Sequence, residues 1–280
     1  MDAADVAEVT RIIRQVAQEQ ILPRFGSLKR GEISEKKPGD IVTVADVEAE
    51  LQLSRCLTTF LPDSSCVGEE ASEADPLVFR ALGYDAPVWI LDPLDGTRNF
   101  ANKRPHFAVI VALNQDGATQ AAWIHDPLAD ETIIALRGQG AWLGTQRLTV
   151  TAPANVADMT GCVSYYARKR LTTAREQGRT DIPERLVRLG SVGREYMELT
   201  RGRMDFALYG GRIKPWDHAA GVLIYTEAGG YAAHLDTERA YAPSDGIVQT
   251  RLLLAPNREA WAEIDAMITA TRGIQTKETS

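Results

Sequence analysis

The chain has 280 residues, of which 44% are hydrophobic, enough to fill one large core or two modest ones. Its formal net charge of −7 argues against a nucleic-acid partner, because phosphate backbones are held by clustered Lys and Arg. The run Arg168-Lys169-Arg170 is too short to reverse that, so contact with a small anionic substrate calls for bound cations.

The first residues, Met1 to Asp5, carry neither a basic n-region nor an apolar h-region, and no stretch approaches the length of a membrane span. A cytoplasmic location without a membrane partner is expected. Cys56, Cys66 and Cys162 stand at no metal-ligand spacing and read as ordinary buried or half-buried thiols.

Val6, Val9, Ile12, Ile13, Val16 and Ala17 recur at three- and four-residue spacing, which predicts an amphipathic helix over residues 2 to 22, ending near Pro23. Gly26 to Asp40, rich in Gly, Lys, Glu and Pro, reads as a mobile surface loop, and a second helix follows over Val44 to Phe60. From Pro87 to Val150 apolar runs alternate with turns such as Gln115-Asp116-Gly117, which predicts consecutive antiparallel strands. Beyond Thr151 short strands and helices alternate: 161–164, 181–189, 191–200, 206–209, 218–228, 252–255 and 258–271. A soft boundary near residue 150 separates an α+β half, 1–150, from an α/β half with a mixed sheet, 151–272, and 273–280 reads as a tail.

The segment Trp89-Ile90-Leu91-Asp92-Pro93-Leu94-Asp95-Gly96-Thr97 runs an apolar strand into a tight turn with two aspartates three residues apart. Pro93 bends the chain so that Asp92, the Leu94 carbonyl and Asp95 converge. Carboxylates that close resist joint ionisation unless a cation lies between them, and hard divalent ions with oxygen ligands, Mg²⁺ first, match the chemistry. Gly96-Thr97 opens a helical turn whose free amides suit a phosphate oxygen. Two more acidic segments, Gly68-Glu69-Glu70 and Trp216-Asp217, could complete such a site. Each also has a plainer reading: a solvated pair at Glu69-Glu70, a turn initiator at Asp92-Pro93, a helix N-cap at Asp217. His106, His125 and His234 have no ligand spacing, and Trp216 is expected to pack beneath Asp217.

Gly68-Glu69-Glu70, Asp92 to Thr97, and Trp216-Asp217 with eleven residues before Gly229-Gly230 resemble the three signatures of the inositol monophosphatase family. Val42-Thr43-Val44-Ala45-Asp46 is similar to its upstream Val-Thr-x-x-Asp element. The resemblance implies a layered α/β/α/β sandwich and a phosphoric monoester hydrolase that acts on a small soluble phosphate ester with two or three Mg²⁺ ions per site. It implies Glu70, Asp92, Leu94, Asp95 and Asp217 as metal ligands, with Glu70 also catalytic. Asp46 and Thr97 would orient and deprotonate a water for in-line attack on phosphorus. Asp95, Gly96, Thr97, Ser191, Arg212 and Asp217 would contact the substrate, and homodimers are common among relatives. No Gly-x-Ser-x-Gly elbow or P-loop lysine supplies a side-chain nucleophile.

Members that act on inositol phosphates usually carry a glutamate about seven residues before the Trp-Asp aspartate. Here no acidic residue occurs between Phe206 and Trp216, while Arg212 and Lys214 could meet a second anionic group. Trp216-Asp217-His218-Ala219-Ala220-Gly221 is also similar to the related 3′(2′),5′-bisphosphate nucleotidases, and histidinol phosphate or sugar bisphosphates stay open as substrates. A regulatory protein that kept the fold and lost the reaction is the alternative from another class.

Overall fold

The computed structural model of the protein describes residues 1–37 and 40–274. Asp2 caps the first helix, Ala3–Val16, its carboxylate accepting the amides of Ala4 and Asp5. A π-turn, Ala17–Ile21, and a 3-10 turn, Leu22–Arg24, carry the same apolar stripe past Pro23. The second helix, Val44–Phe60, opens with a capping box between Thr43 and Asp46.

A seven-stranded sheet is ordered Ser65–Gly68, Val88–Asp95, Ala108–Gln115, Ala118–Asp126, Glu131–Leu136, Gly140–Leu143, Gln146–Leu148. All its pairings are antiparallel except the first, which is parallel. A five-stranded mixed sheet is ordered Arg185–Val187, Thr160–Val163, Phe206–Ile213, Val248–Ala255, Tyr231–His234. Alternation along the strands assigns each sheet two faces. Trp89, Leu91, Val109 and Val111 pack on the first two helices, while Ile90, Ile110 and Ile124 pack on Val192–Thr200 and Pro215–Glu227 between the sheets. Ala207, Leu252 and Leu254 close that middle layer from the other side, and residues from both sides of position 150 meet in it. The expected α/β/α/β order is present. Helices Tyr165–Glu176 and Arg258–Ala270 add a fifth layer on Phe206, Leu253 and Ala255.

Three stretches differ from the reading of the sequence. Gly26 to Asp40 is not a loop throughout, because strand Ile33–Lys37 pairs antiparallel with Asp40–Thr43. This strand is polar and largely exposed, so it lacks the alternation that marks a strand; Lys36 and Lys37 fasten it to Glu70 and Glu73. Within Asp181 to Leu189 only Arg185–Val187 is a strand. Helix Pro215–Glu227 starts ahead of Asp217, with Lys214 at the N-cap and Pro215 in the first turn, where its missing amide costs nothing. Of the tail, residues 275–280 lie outside the described residues. No helix among the described residues is long and apolar enough to cross a membrane. Cys162 is buried and Cys56 and Cys66 are half-buried, all three unbridged.

His125 is buried in the long sheet, its Nδ1 3.0 Å from the Thr132 hydroxyl. Burial pushes its imidazole down from 6.5 to about 4. Between those values the unfolded chain binds the extra proton, so the stability present above pH 6.5 is lost as the pH falls toward 4. The loss should reach up to about 3 kcal/mol. Urea denaturation at about pH 7.5 and 4.5 should show a smaller drop for His125→Gln than for the wild type. Equal drops would mean that another group carries the acid sensitivity.

Candidate active site

All eight residues of strand Val88–Asp95 are buried, so this strand delivers Asp92 and Asp95 to the inside of the molecule. Its pairing with the next strand breaks between those two aspartates, where Pro93 offers no amide. Gly96 then takes a left-handed conformation, φ +90°, and starts the short helix Thr97–Ala101. A Cβ at position 96 would stand 2.8 Å from the His106 carbonyl oxygen, so space as well as φ requires glycine.

Asp95 is gripped by the N-terminus of helix Val192–Thr200. It accepts the Ser191 hydroxyl at 2.5 Å and the amides of Val192 and Gly193 at 3.0 and 2.7 Å. Burial raises its carboxyl to about 6, and these three donors hold it from going higher. The loop that presents them is itself tied: buried Glu195 accepts the amides of Leu189 and Gly190 at 3.0 and 3.1 Å. Asn99 donates to the carbonyls of the same two residues.

Asp46 sits in the first turn of helix Val44–Phe60, where it completes the capping box and faces the Asp92–Thr97 turn. It accepts the Thr43 amide and hydroxyl at 2.8 and 2.6 Å and the Thr97 hydroxyl at 2.8 Å. The Thr97 oxygen is also 3.0 Å from the Leu94 carbonyl. Burial lifts Asp46 to about 7 against these donors.

Asp92 and Asp217 complete the turn's surroundings. Burial raises Asp92 well above the carboxylate range, helped by Glu69, Asp95 and Asp217. Asp217 goes to about 8, again through burial; Lys214 opposes the shift, and Glu69 and Asp95 add to it. Burial works against the charge on Lys214, yet Asp217, Glu69 and Asp92 outweigh it and push the ammonium up. Its Nζ lies 3.2 Å from Glu69, and the Lys36 Nζ lies 2.5 Å from Glu70 and 3.8 Å from Glu69. Glu69 acts on both Asp92 and Asp217, while Glu70, paired with Lys36, acts on Asp46. Two adjacent glutamates at a strand end look alike in sequence; the helix Glu69–Ala74 that starts there separates them, with Glu50 holding the amides of Glu70 and Ala71 at 2.9 and 2.8 Å.

Among the described residues no three His, Cys, Asp or Glu side chains stand close enough to enclose an ion as they are. Asp95 is closed onto a helix end, and Lys36 and Lys214 hold the glutamates. The donor types nevertheless fit a hard divalent cation: carboxylates and a carbonyl, with Asp92 and Asp217 raised by burial and, to a lesser degree, by the neighbouring acids. Ser191 lies at Asp95, and Arg212 stands exposed on strand Phe206–Ile213. Trp216 is buried below Asp217, stacked on Phe79 with ring centroids 5.8 Å apart and with the Lys214 ammonium over its ring. His218 is buried with Nδ1 3.1 Å from the Tyr196 hydroxyl, and burial lowers it to about 3, so it stays neutral. Lys36, Glu50 and Glu195 escape sequence reasoning because their partners lie elsewhere along the chain or look like ordinary surface charge.

Residues 2–275 match the inositol monophosphatase family. The chain belongs to that family. It is 34% identical over 220 residues to inositol-1-monophosphatase of Rhizobium meliloti, covering 74% of this chain and 77% of the relative. Identity is 32% over 217 residues to the fructose-1,6-bisphosphatase/inositol-1-monophosphatase of Thermotoga maritima, 76% of this chain and 80% of that one. It is 32% over 230 residues to Nus factor SuhB of Escherichia coli, with coverages of 78% and 80%. The solved structure of a Thermotoga maritima IMPase superposes with a TM-score of 0.77 at 26% identity, covering 97% of this chain and all of the other. A staphylococcal IMPase-I gives 0.79 at 17% identity and supports the fold alone.

The grip on Asp95 has a consequence for stability in this family member. A carboxamide at position 95 offers one acceptor oxygen where three donors converge, and turns an NH₂ toward some of them. Asp95→Asn should therefore destabilise the protein by about 2 kcal/mol even with chelator present, measured by urea denaturation. An unchanged midpoint would show that the helix end does not depend on the carboxylate.

Proposed function

We propose that the protein is a Mg²⁺-dependent phosphatase that hydrolyses a small soluble phosphate monoester with water as the nucleophile. The observation that carries this reading is the Thr97–Asp46 pair, 2.8 Å apart, set beside the carboxylates of Asp92, Asp217 and Glu69. Glu70, Asp92, the Leu94 carbonyl, Asp95 and Asp217 are the residues that would hold Mg²⁺, with Glu69 beside them. When bound, the ions supply a more acidic water and offset the charge of the phosphate.

The chain's own residues supply the rest. The Thr97 hydroxyl has a single proton, shared between Asp46 and the Leu94 carbonyl, so its lone pairs remain to accept a hydrogen bond from water. As that water's oxygen bonds to phosphorus, its proton passes by way of Thr97 Oγ1 to Asp46. A carboxyl raised by burial to about 7 suits a base working near neutrality. The ester oxygen leaves on the opposite side of phosphorus and takes a proton from solvent to give the free alcohol, and Asp46 returns its proton to solvent, so that one water is consumed and no proton is gained or lost. His218 has no part in this scheme, being buried and neutral. The noncatalytic reading draws less support, because the Thr97–Asp46 pair and the buried carboxylates are all in place.

The test is phosphate release with and without Mg²⁺ from inositol 1-phosphate, glycerol 2-phosphate, histidinol phosphate, fructose 1,6-bisphosphate and adenosine 3′,5′-bisphosphate. At least one should turn over, chelator should stop it, and Asp46→Asn should lower kcat by about 10²- to 10⁴-fold at a temperature where its melting curve shows it folded. Protein that binds Mg²⁺ yet releases phosphate from none of them would overturn the proposal.

A further inference from the structure

The outer layer of the C-terminal half carries arginines that the candidate active site does not use. Along strand Val248–Ala255, Leu252 and Leu254 face the middle layer, while Leu253 and Ala255 face helices Tyr165–Glu176 and Arg258–Ala270. Alternation therefore puts Arg251 on the outer face, where that apolar patch ends. Leu171 belongs to the same patch, so Arg170, half-buried beside it on the helix, stands at its rim, and Arg272 follows the end of the last helix. The Leu235 amide donates to the Arg251 carbonyl at 2.9 Å, which brings Asp236 alongside. Its carboxylate pairs with both Arg251 and Arg272, the latter at 3.4 Å.

Arg170 is the odd member of this group. Its Nε is buried and has no hydrogen-bond partner among the described residues. Burial, then the charges of Arg251 and Arg272, act against its protonated form, and no carboxylate acts for it. The other acids between Leu235 and Gly246 are taken, Glu238 by Arg258 and Asp245 by Arg239. Three guanidinium groups against one carboxylate leave an excess of two positive charges in one place. A buried donor without an acceptor is costly, and so is the crowding of like charges around it. Guanidinium presents paired donors that fit phosphate oxygens, and a phosphate dianion matches the excess charge. None of the three arginines lines the cavity beside Asp217, so the cluster is separate from the carboxylate pocket.

We propose that Arg170, Arg251 and Arg272 form a binding site for a phosphate dianion, free or carried by a small ester, on the outer layer of the C-terminal half. The anion supplies the acceptor that Arg170 Nε lacks, and Asp236 opposes it. Binding there needs no Mg²⁺ and does not depend on the phosphatase reading above.

The experiment is calorimetric titration of the full-length protein with inorganic phosphate at low ionic strength, with chelator present to keep cations out of the carboxylate pocket. One phosphate should bind per chain. Arg170→Gln should weaken it about tenfold through loss of a charged donor, and should melt like the wild type because its Nε has no partner to lose. Asp236→Asn, which removes the competing carboxylate, should tighten it. Arg11→Gln, the same change of net charge on the first helix, should leave the affinity as it was. Titration with glycerol 2-phosphate separates the two sources of the anion: comparable binding opens the site to esters, and exclusion reserves it for free phosphate. Absence of phosphate binding in chelator, an affinity unmoved by Arg170→Gln, or an equal loss in Arg11→Gln overturns the site.

Discussion

The structure is organised around the difficulty of burying several carboxylates in one place. Asp46, Asp92 and Asp95 are nearly inaccessible to solvent, and Asp217 lies just beyond them. An unpaired buried charge is costly, and a cluster of like charges more so. The protein meets the cost differently at each position. Asp95 is satisfied by a helix N-terminus and a serine, Asp46 by two threonines and an amide, Asp92 and Asp217 in part by Lys214. Each device comes from a different element, and this is why the site can exist only where both sheets and the helices between them meet.

How much of this was visible in the sequence depends on the range of the interaction. The turn at Asp92 to Thr97 was legible because its parts are adjacent: an apolar run, a proline that stops the strand pairing, and a glycine required at positive φ. The helices at Ala3–Val16 and Val44–Phe60 were legible through their stripes and caps. The strand Ile33–Lys37 was not, since its pairing is held by backbone bonds and by lysines reaching across to another element, neither of which leaves an apolar alternation. Glu69 and Glu70 show the same limit on a smaller scale. They differ by one helical step, about a hundred degrees around the axis: Lys36 reaches both, and Lys214 pairs with Glu69.

Glu195 and Glu50 show a second kind of illegibility. Neither touches the Asp92 to Thr97 turn. Each accepts two backbone amides of a segment that does face it, Glu195 at Leu189 and Gly190, Glu50 at Glu70 and Ala71. Both lie at or near the interior, where a carboxylate without such donors would be strongly disfavoured. A buried acid that satisfies loop amides does for an irregular segment what strand pairing does for a regular one, and it fixes the loop as firmly as the strand it borders.

The charge balance ties the site to its proposed reaction. With Glu69, Asp92, Asp95 and Asp217 ionised, Lys214 alone leaves the pocket with a large excess of negative charge, and the upward shifts of three of those aspartyl groups show how the folded chain resists that state. A phosphate dianion could not approach such a pocket. Two divalent cations would convert the excess into a small positive charge, returning the carboxylates to their ionised form and making the same pocket attractive to phosphate. The acidity of the whole chain is then no obstacle to an anionic substrate. In the proposed reaction the negative site would hold the cations, and the cations would in turn hold the phosphate.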